Sequence, residues 1–598
     1  MIRSHEKPMM NLSVPNDHVL HHPRPEYPRP QFERKEWLNL NGTWRFDFDD
    51  SNSGLNDCWY DQHTFNRTIQ VPFAFQTNLS GISDTDFHDV VWYEKDFELP
   101  AKWNNQRLLL HFGAVDYRAW VWVNGILVTQ HEGGHVAFQA DITHALQPFH
   151  NRITVRVEDV TLDLEQPRGK QYWKNDSAFI FYTRTTGIWQ TVWLEPVCDT
   201  YLDSVKIIPD IDCGQVQLEY ILKGDVLDTQ VEAQIWFGDT LIASQTHALN
   251  AYRSCTTISL NSAQDLHLWT PENPALYDLR LVLRSNNQIL DEVESYFGMR
   301  KISIEKGRIL LNNHPYYMRL VLDQGYHPDG LLTFPSDDAI RNDVELTKQM
   351  GFNGVRKHQK VEEPRYLYWA DQLGLLVWGE MANAYEYSEI AVKRITQEWQ
   401  EVIQRDFNHP SLVAWVPINE SWGVPNLKAD SRQRDHLVAL YYLVRSLDPT
   451  RLVISNDGWE HAKTDLLTIH DYEGSGEVLR ERYASVESIV QARPADRDLY
   501  VSGFAYNNEP ILVTEFGGIA YQKDDQEGWG YTTASNGHEF IRRYQDVISA
   551  MLASPHVQGF CYTQLCDVEQ EINGLLTYDR KPKGDLAIIR EINLALKG

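Results

Sequence analysis

Leu412-Val413-Ala414-Trp415-Val416-Pro417-Ile418-Asn419-Glu420 is an apolar run closed by an amide and a carboxylate. A short apolar run of this kind reads as a strand buried on both faces of a parallel sheet. Ile511-Leu512-Val513-Thr514-Glu515-Phe516-Gly517-Gly518 repeats the arrangement. In a barrel of alternating strands and helices, residues just past the strand C-termini build the active site. Two carboxylates so placed are what cleavage of a glycosidic bond needs, one protonated and one ionised. Glu420 and Glu515 are therefore the leading catalytic candidates. Asn419, just before Glu420, is placed to reach a sugar 2-hydroxyl.

Working outward, the chain from about residue 300 alternates strand and helix. Tyr316 to Leu322, Asn353 to Arg356, Leu375 to Trp378, the Glu420 run, Leu452 to Ser455, Leu466 to His470, the Glu515 run and Gly559 to Thr563 are eight candidate strands. Ser336-Asp337-Asp338 caps one intervening helix, with acids at its positive end. Eight strands with helices between them over residues 300–598 predict a (β/α)8 TIM barrel. Strand order puts Glu420 after the fourth strand and Glu515 after the seventh, on one face of the barrel. Asp323, just past the first strand, is a further candidate for sugar hydroxyls.

Upstream the rhythm is different. Gly42 to Phe48, Val91 to Phe97 and Tyr117 to Gly125 alternate roughly with period two between Asn-Gly and Gly-Gly turns. Residues 1–198 are thus expected to form a jelly-roll β-sandwich. Residues 199–299 hold more short strands and fit an immunoglobulin-like β-sandwich. His131-Glu132-Gly133-Gly134-His135 matches a zinc-binding HExxH spacing, but that motif needs a helix and paired glycines disfavour one. A surface turn is the expectation, with no metal.

The net charge of −28 argues against nucleic acid and against an anionic membrane surface. The first eight residues lack a signal-like apolar core, and no apolar stretch is long enough to span a bilayer. Six cysteines without CxxC spacing imply no disulfide framework. A cytoplasmic protein is the expectation.

The chain resembles glycoside hydrolase family 2 over nearly its whole length. The residues that carry the resemblance are Val121-Trp122-Val123-Asn124-Gly125, Thr186-Gly187-Ile188-Trp189-Gln190-Thr191-Val192-Trp193-Leu194-Glu195, His409-Pro410-Ser411 through Asn419-Glu420-Ser421-Trp422-Gly423, and Thr514-Glu515-Phe516-Gly517-Gly518. The resemblance implies that Glu420 is the general acid/base and Glu515 the nucleophile of a retaining double displacement. It also implies that Arg356 lies near the nucleophile and that Tyr472 hydrogen-bonds it. No cofactor is implied, and a homo-oligomer is a family expectation only.

Two stretches depart from the galactosidase pattern of the family. Leu322-Asp323-Gln324-Gly325 and Arg356-Lys357-His358-Gln359-Lys360-Val361 carry Gln324 and Gln359 where those relatives have histidines. Tyr578-Asp579-Arg580-Lys581-Pro582-Lys583 resembles β-glucuronidases, yet Glu571-Ile572-Asn573 stands where they carry Asn-x-Lys. His358, Gln359 and Lys360 are substrate-binding candidates. Lys357, Lys360, Arg319, Arg168 and Lys170 are candidates to take a substrate carboxylate. From sequence alone the first reading is an exo-acting retaining glycosidase on β-galactosides or similar hexosides. A β-uronidase is the alternative, and a non-catalytic carbohydrate-binding protein the reading of another class.

Overall fold

In the computed structural model, residues 22–260, 266–523 and 527–595 are described. The reading of the first eight residues lies outside them. Two sheets make the N-terminal sandwich. The six-stranded sheet runs in the order Arg67–Val71, Gly42–Phe48, Val90–Glu98, His150–Glu158, Arg118–Val123, Ile126–Glu132. It packs through Trp44, Phe46, Tyr93, Val121 and Val155 against Leu110, Phe112 and Leu194 of the four-stranded sheet. His131 and Glu132 lie on a strand, and His131 Nε2 turns to Glu401 at 3.3 Å while His135 packs on Trp189. The two histidines therefore do not share a helix face, as zinc binding by this motif requires.

The second unit pairs a three-stranded sheet (Tyr201–Asp210, Gln215–Lys223, Arg253–Ser259) with a four-stranded one (Thr229–Phe237, Thr240–Leu249, Tyr277–Ser285, Gln288–Phe297). Leu218, Tyr220, Val231, Leu281 and Phe297 fill the space between them. It is the immunoglobulin-like domain. All six cysteines are free.

The remainder is a TIM barrel. Its strands are β1 Met318–Asp323, β2 Gly354–Lys357, β3 Leu376–Glu380, β4 Leu412–Val416, β5 Leu452–Val453, β6 Leu467–Asp471, β7 Ile511–Gly517 and β8 Val557–Thr563. They pair in parallel in the order β5-β4-β3-β2-β1-β8-β7-β6. Beyond β4 and β5, Ile418–Asn419 pairs with Asn456–Asp457, and His470 N then donates to Gly458 O at 3.3 Å, bridging toward β6.

Side-chain alternation sorts each strand into two faces. Leu320, Leu322, Trp378, Val416 and Leu512 share the core inside the strands. Val321, Val355, Val377, Trp415 and Val513 pack outward against the helices, Trp415 edge-on to Trp399. On β2 that parity turns Arg356 inward and Lys357 outward, which decides the fate of both.

Candidate active site

Arg356 is wholly buried at the inner end of β2. A buried guanidinium must be paired, and this one holds three carboxylates. Nη1 reaches Glu515 Oε1 at 3.0 Å and Asp457 Oδ2 at 2.7 Å, and Nη2 reaches Glu380 Oε1 at 2.8 Å. Nη2 also donates to Asn419 Oδ1 at 2.6 Å. Asn419 thus presents its NH2 as the remaining donor, with its backbone N–H tied to Asn383 Oδ1 at 2.9 Å.

Glu515 reaches the pocket through an irregularity. The β7 register breaks between Val513 and Phe516, so Thr514 and Glu515 both turn inward. Thr514 Oγ1 donates to Asp457 Oδ1 at 2.9 Å. Tyr472 donates to Glu515 Oε2 at 2.6 Å and stacks on Tyr531 with ring centroids 3.4 Å apart. Glu515 is thereby fixed at both oxygens.

Glu420 sits on a left-handed backbone, φ 51°, followed by Ser421 at φ 64°. Residues other than glycine rarely adopt this conformation, and it concentrates at functional sites. Its backbone N–H donates to Asp457 O at 2.9 Å, which holds the turn. The side chain is 18 % exposed, and its Oε1 lies 2.7 Å from His470 Nδ1. One oxygen of Glu420, one of Glu515 and a ring nitrogen of His470 all lie within 4.8 Å of one another.

His470 is the hinge of this arrangement. Burial alone would lower its pKa. The charges of Glu515 and Asp457, with hydrogen bonds to Asp457 and Glu420, outweigh burial and push it up to about 10. As an imidazolium it donates from both nitrogens, Nε2 to Asp457 at 3.1 Å. Asp457 is itself held far below the usual carboxylate range: burial opposes this, but Arg356 and His470 prevail.

The sign of the linkage follows. A proton held more tightly in the folded state stabilises the fold fully below the unfolded pKa of 6.5, and that stability is lost as pH rises through about 10. The unfolding free energy should therefore fall between pH 7 and 10 by on the order of a few kcal/mol. His470→Gln should flatten that fall. Denaturant titrations at the two pH values test it, and equal slopes for both proteins would refute the charged state.

The other candidates divide. His358 lies at the site, its Nδ1 3.0 Å from Glu380 Oε2 and 3.9 Å from Glu515 Oε1. Its pKa is well below the usual value through burial and then the charges of Lys170 and Arg356, so it is neutral. Gln359 is buried and turned to Asn383, accepting from its backbone N at 2.8 Å. Asp323 and Lys360, expected at the sugar, are committed elsewhere. Asp323 faces out with Lys357, its register partner, at 2.6 Å, and Lys357 also meets Glu362 at 2.7 Å. Lys360 is buried against Glu362 at 2.9 Å and donates to Gly325 O and Leu332 O. The even parity that turns Arg356 in sends Asp323 and Lys357 out. Arg319 lies at the N-terminal start of β1, the end of the barrel away from the mouth. Arg168 spends its guanidinium on the carbonyls of Val160, Thr161 and Asp163.

Glu380, Asp457 and His470 escaped the sequence reading as site residues. Glu380 closes β3 as Glu515 lies at the end of β7, so the same strand-end rule reaches it. Asp457 has no comparable signal, since its strand is a two-residue extension.

A loop of the sandwich completes the mouth. Arg168 N and Gly169 N both donate to Asn383 O, and Tyr385 OH donates to Gly169 O. Gly169 has φ 60°, and a Cβ there would meet Gln359 O at 2.1 Å. Only glycine allows so close an approach. The loop carries Lys170 to Trp422, its ammonium 5.0 Å from the ring centroid. Trp173, Phe181, Tyr385 and Trp422 continue as a half-exposed aromatic wall beside Glu420.

Comparison with known proteins agrees with this architecture. Residues 37–195 match "Glycosyl hydrolases family 2, sugar binding domain", 200–300 "Glycosyl hydrolases family 2" and 302–597 "Glycosyl hydrolases family 2, TIM barrel domain". The chain is 27% identical to a mouse β-glucuronidase over 612 residues, covering 93% of this chain and 90% of that one. It is 24% identical to a Paenibacillus borealis β-glucuronidase over 601 residues, covering 93% and 96%. A Ruminococcus gnavus β-glucuronidase, solved with a C6-substituted uronic isofagomine, has the same fold, with TM-score 0.77 at 20% identity over 96% of this chain and all of that one. Three consecutive domain matches spanning nearly the whole sequence place the protein in glycoside hydrolase family 2, as a glycoside hydrolase.

Proposed function

We propose that this chain is a retaining, exo-acting β-uronidase that cleaves β-glucuronides or β-galacturonides by double displacement. The observation that carries the mechanism is the approach of Glu420 and Glu515 within 4.8 Å. Retaining enzymes keep their carboxyls roughly 5–5.5 Å apart, whereas inverting ones leave about 6.5–9.5 Å for a water. Glu515, paired with Arg356 and oriented by Tyr472, attacks the anomeric carbon. Glu420, anchored through Oε1 by His470, carries its proton on the other oxygen to the leaving group. The same carboxylate then takes a proton from the water that releases the sugar. Asn419, its carbonyl fixed by Arg356, offers its NH2 to the 2-hydroxyl.

Sequence alone favours galactosides. The relatives described above are β-glucuronidases, and they support the uronide alternative over that first reading. A panel of 4-nitrophenyl glycosides decides the matter. Uronides should be cleaved with kcat/KM at least about 100-fold above the β-galactoside, with the β-anomer as first product by NMR. A preference for galactoside, or an α-anomer released first, would overturn the substrate class or the stereochemistry respectively.

A further inference from the structure

We propose that Lys170, delivered from the N-terminal sandwich, is the group that recognises the carboxylate on C5 of the substrate. The assignment rests on the uronidase reading above and names the residue that would enforce it.

Four observations converge on it. Lys170 is 7 % exposed, yet among the described residues its ammonium has neither a carboxylate within ion-pairing distance nor a hydrogen-bond acceptor. Lysine is almost never buried unless paired, because the desolvated charge is costly. The other candidate cations are already paired. Arg356 holds three carboxylates and an amide, the outward Lys357 and Lys360 pair with Asp323, Glu362 and carbonyls, and Arg168 donates to carbonyls.

The position is also right. Lys170 lies over Trp422, two residues past Glu420. His358, 3.9 Å from Glu515, and Glu571 both feel its charge. Finally, the loop that holds it is rigidly seated: both N–H groups of Arg168 and Gly169 bond Asn383 O, and Lys170 O accepts from Tyr182 N at 2.9 Å. A cation carried on a loop whose backbone is already seated lowers the ordering cost of meeting an anion.

Glu571 is not the partner of Lys170. It accepts from Tyr182 OH at 2.6 Å and from Asn573 Nδ2 at 2.9 Å, and among the described residues no ion pair joins it to Lys170. A bound carboxylate would supply the ion-pair partner that the described residues do not give Lys170.

The test compares the wild-type enzyme with Lys170→Met and Lys170→Arg on 4-nitrophenyl β-D-glucuronide, β-D-galacturonide and β-D-galactoside. A charge-assisted hydrogen bond to an ionised group predicts that the ratio of uronide to galactoside kcat/KM falls about 10- to 150-fold in Lys170→Met. The loss should appear mainly in KM, and Lys170→Arg should recover part of it. A thermal melt accompanies each variant. Equal losses on uronide and galactoside would mark Lys170 as structural and overturn the assignment, as would an unchanged ratio. If the wild-type enzyme itself cleaves only the galactoside, the uronidase reading fails and the assignment with it. If the wild type prefers uronides and Lys170→Met keeps the same uronide-to-galactoside ratio, the assignment alone fails.

Discussion

Glu515→Gln is expected to lower kcat on every β-glycoside by on the order of 10⁴-fold or more, with the fold intact. Removing a covalent nucleophile abolishes the route itself, and only binding and electrostatics remain to catalyse. Glutamine preserves the shape and leaves Oε1 at Arg356. The change replaces a carboxylate by an amide, so stability should move by less than activity does. Single-turnover assays with a 2,4-dinitrophenyl glycoside measure the loss, and a 2-fluoro glycoside should label Glu515 in the wild type and nothing in the variant. Label found on Glu420 instead would reverse the two roles.

Glu420→Ala separates the acid from the base. With a poor leaving group the first step needs protonation, and its loss should cost about 10²- to 10⁴-fold. With a dinitrophenyl leaving group, glycosylation survives and hydrolysis of the glycosyl-enzyme limits turnover, because no base activates the water. Azide, which needs no base and fits the space left by the side chain, should restore turnover and yield the β-glycosyl azide. An α-azide would mean that attack occurs directly on substrate, and the double displacement would be wrong. No rescue at all, with wild-type-like turnover of the poor leaving group, would assign the acid elsewhere.

The barrel was legible because its strands are apolar runs buried on both faces, a pattern that survives without knowing what lies beside them. All eight expected strands are present, their ends differing by a residue or two except in the Glu420 run, where β4 stops at Val416 and Ile418–Asn419 pairs separately. The two glutamates were legible for the same reason, since each terminates such a run. Arg356 and Tyr472 were reachable only through resemblance, and both touch Glu515.

The failures have a physical cause. Asp323 and Lys360 were chosen for lying past strand ends, but strand parity and local ion pairs send them away from the mouth. Parity is readable in principle, yet it must be anchored by one residue of known direction, and Arg356 supplies that anchor only once its partners are seen. His470 was hidden differently. Alternation with the outward-packed Leu467 and Ile469 turns it toward the barrel interior. Its role comes from Asp457, Glu420 and Glu515, which meet it only in the folded barrel. Glu571 stands where a lysine-bearing motif was looked for, and the cation proposed for that role, Lys170, comes instead from the N-terminal sandwich.

The contact of Gly169 with the barrel carries a consequence for how such an enzyme can be taken apart or recombined. The glycosidase chemistry resides in one domain, but its lip is lent by another, through a loop in which Gly169 tolerates no side chain. A barrel excised from its neighbour would keep Glu420 and Glu515 and lose Lys170, Trp173 and Phe181 from its mouth. A chimera bearing a foreign sandwich would inherit whatever that sandwich's loop happens to present. Substitutions in residues 168–170 can thus reshape the mouth while Glu420 and Glu515 stay untouched.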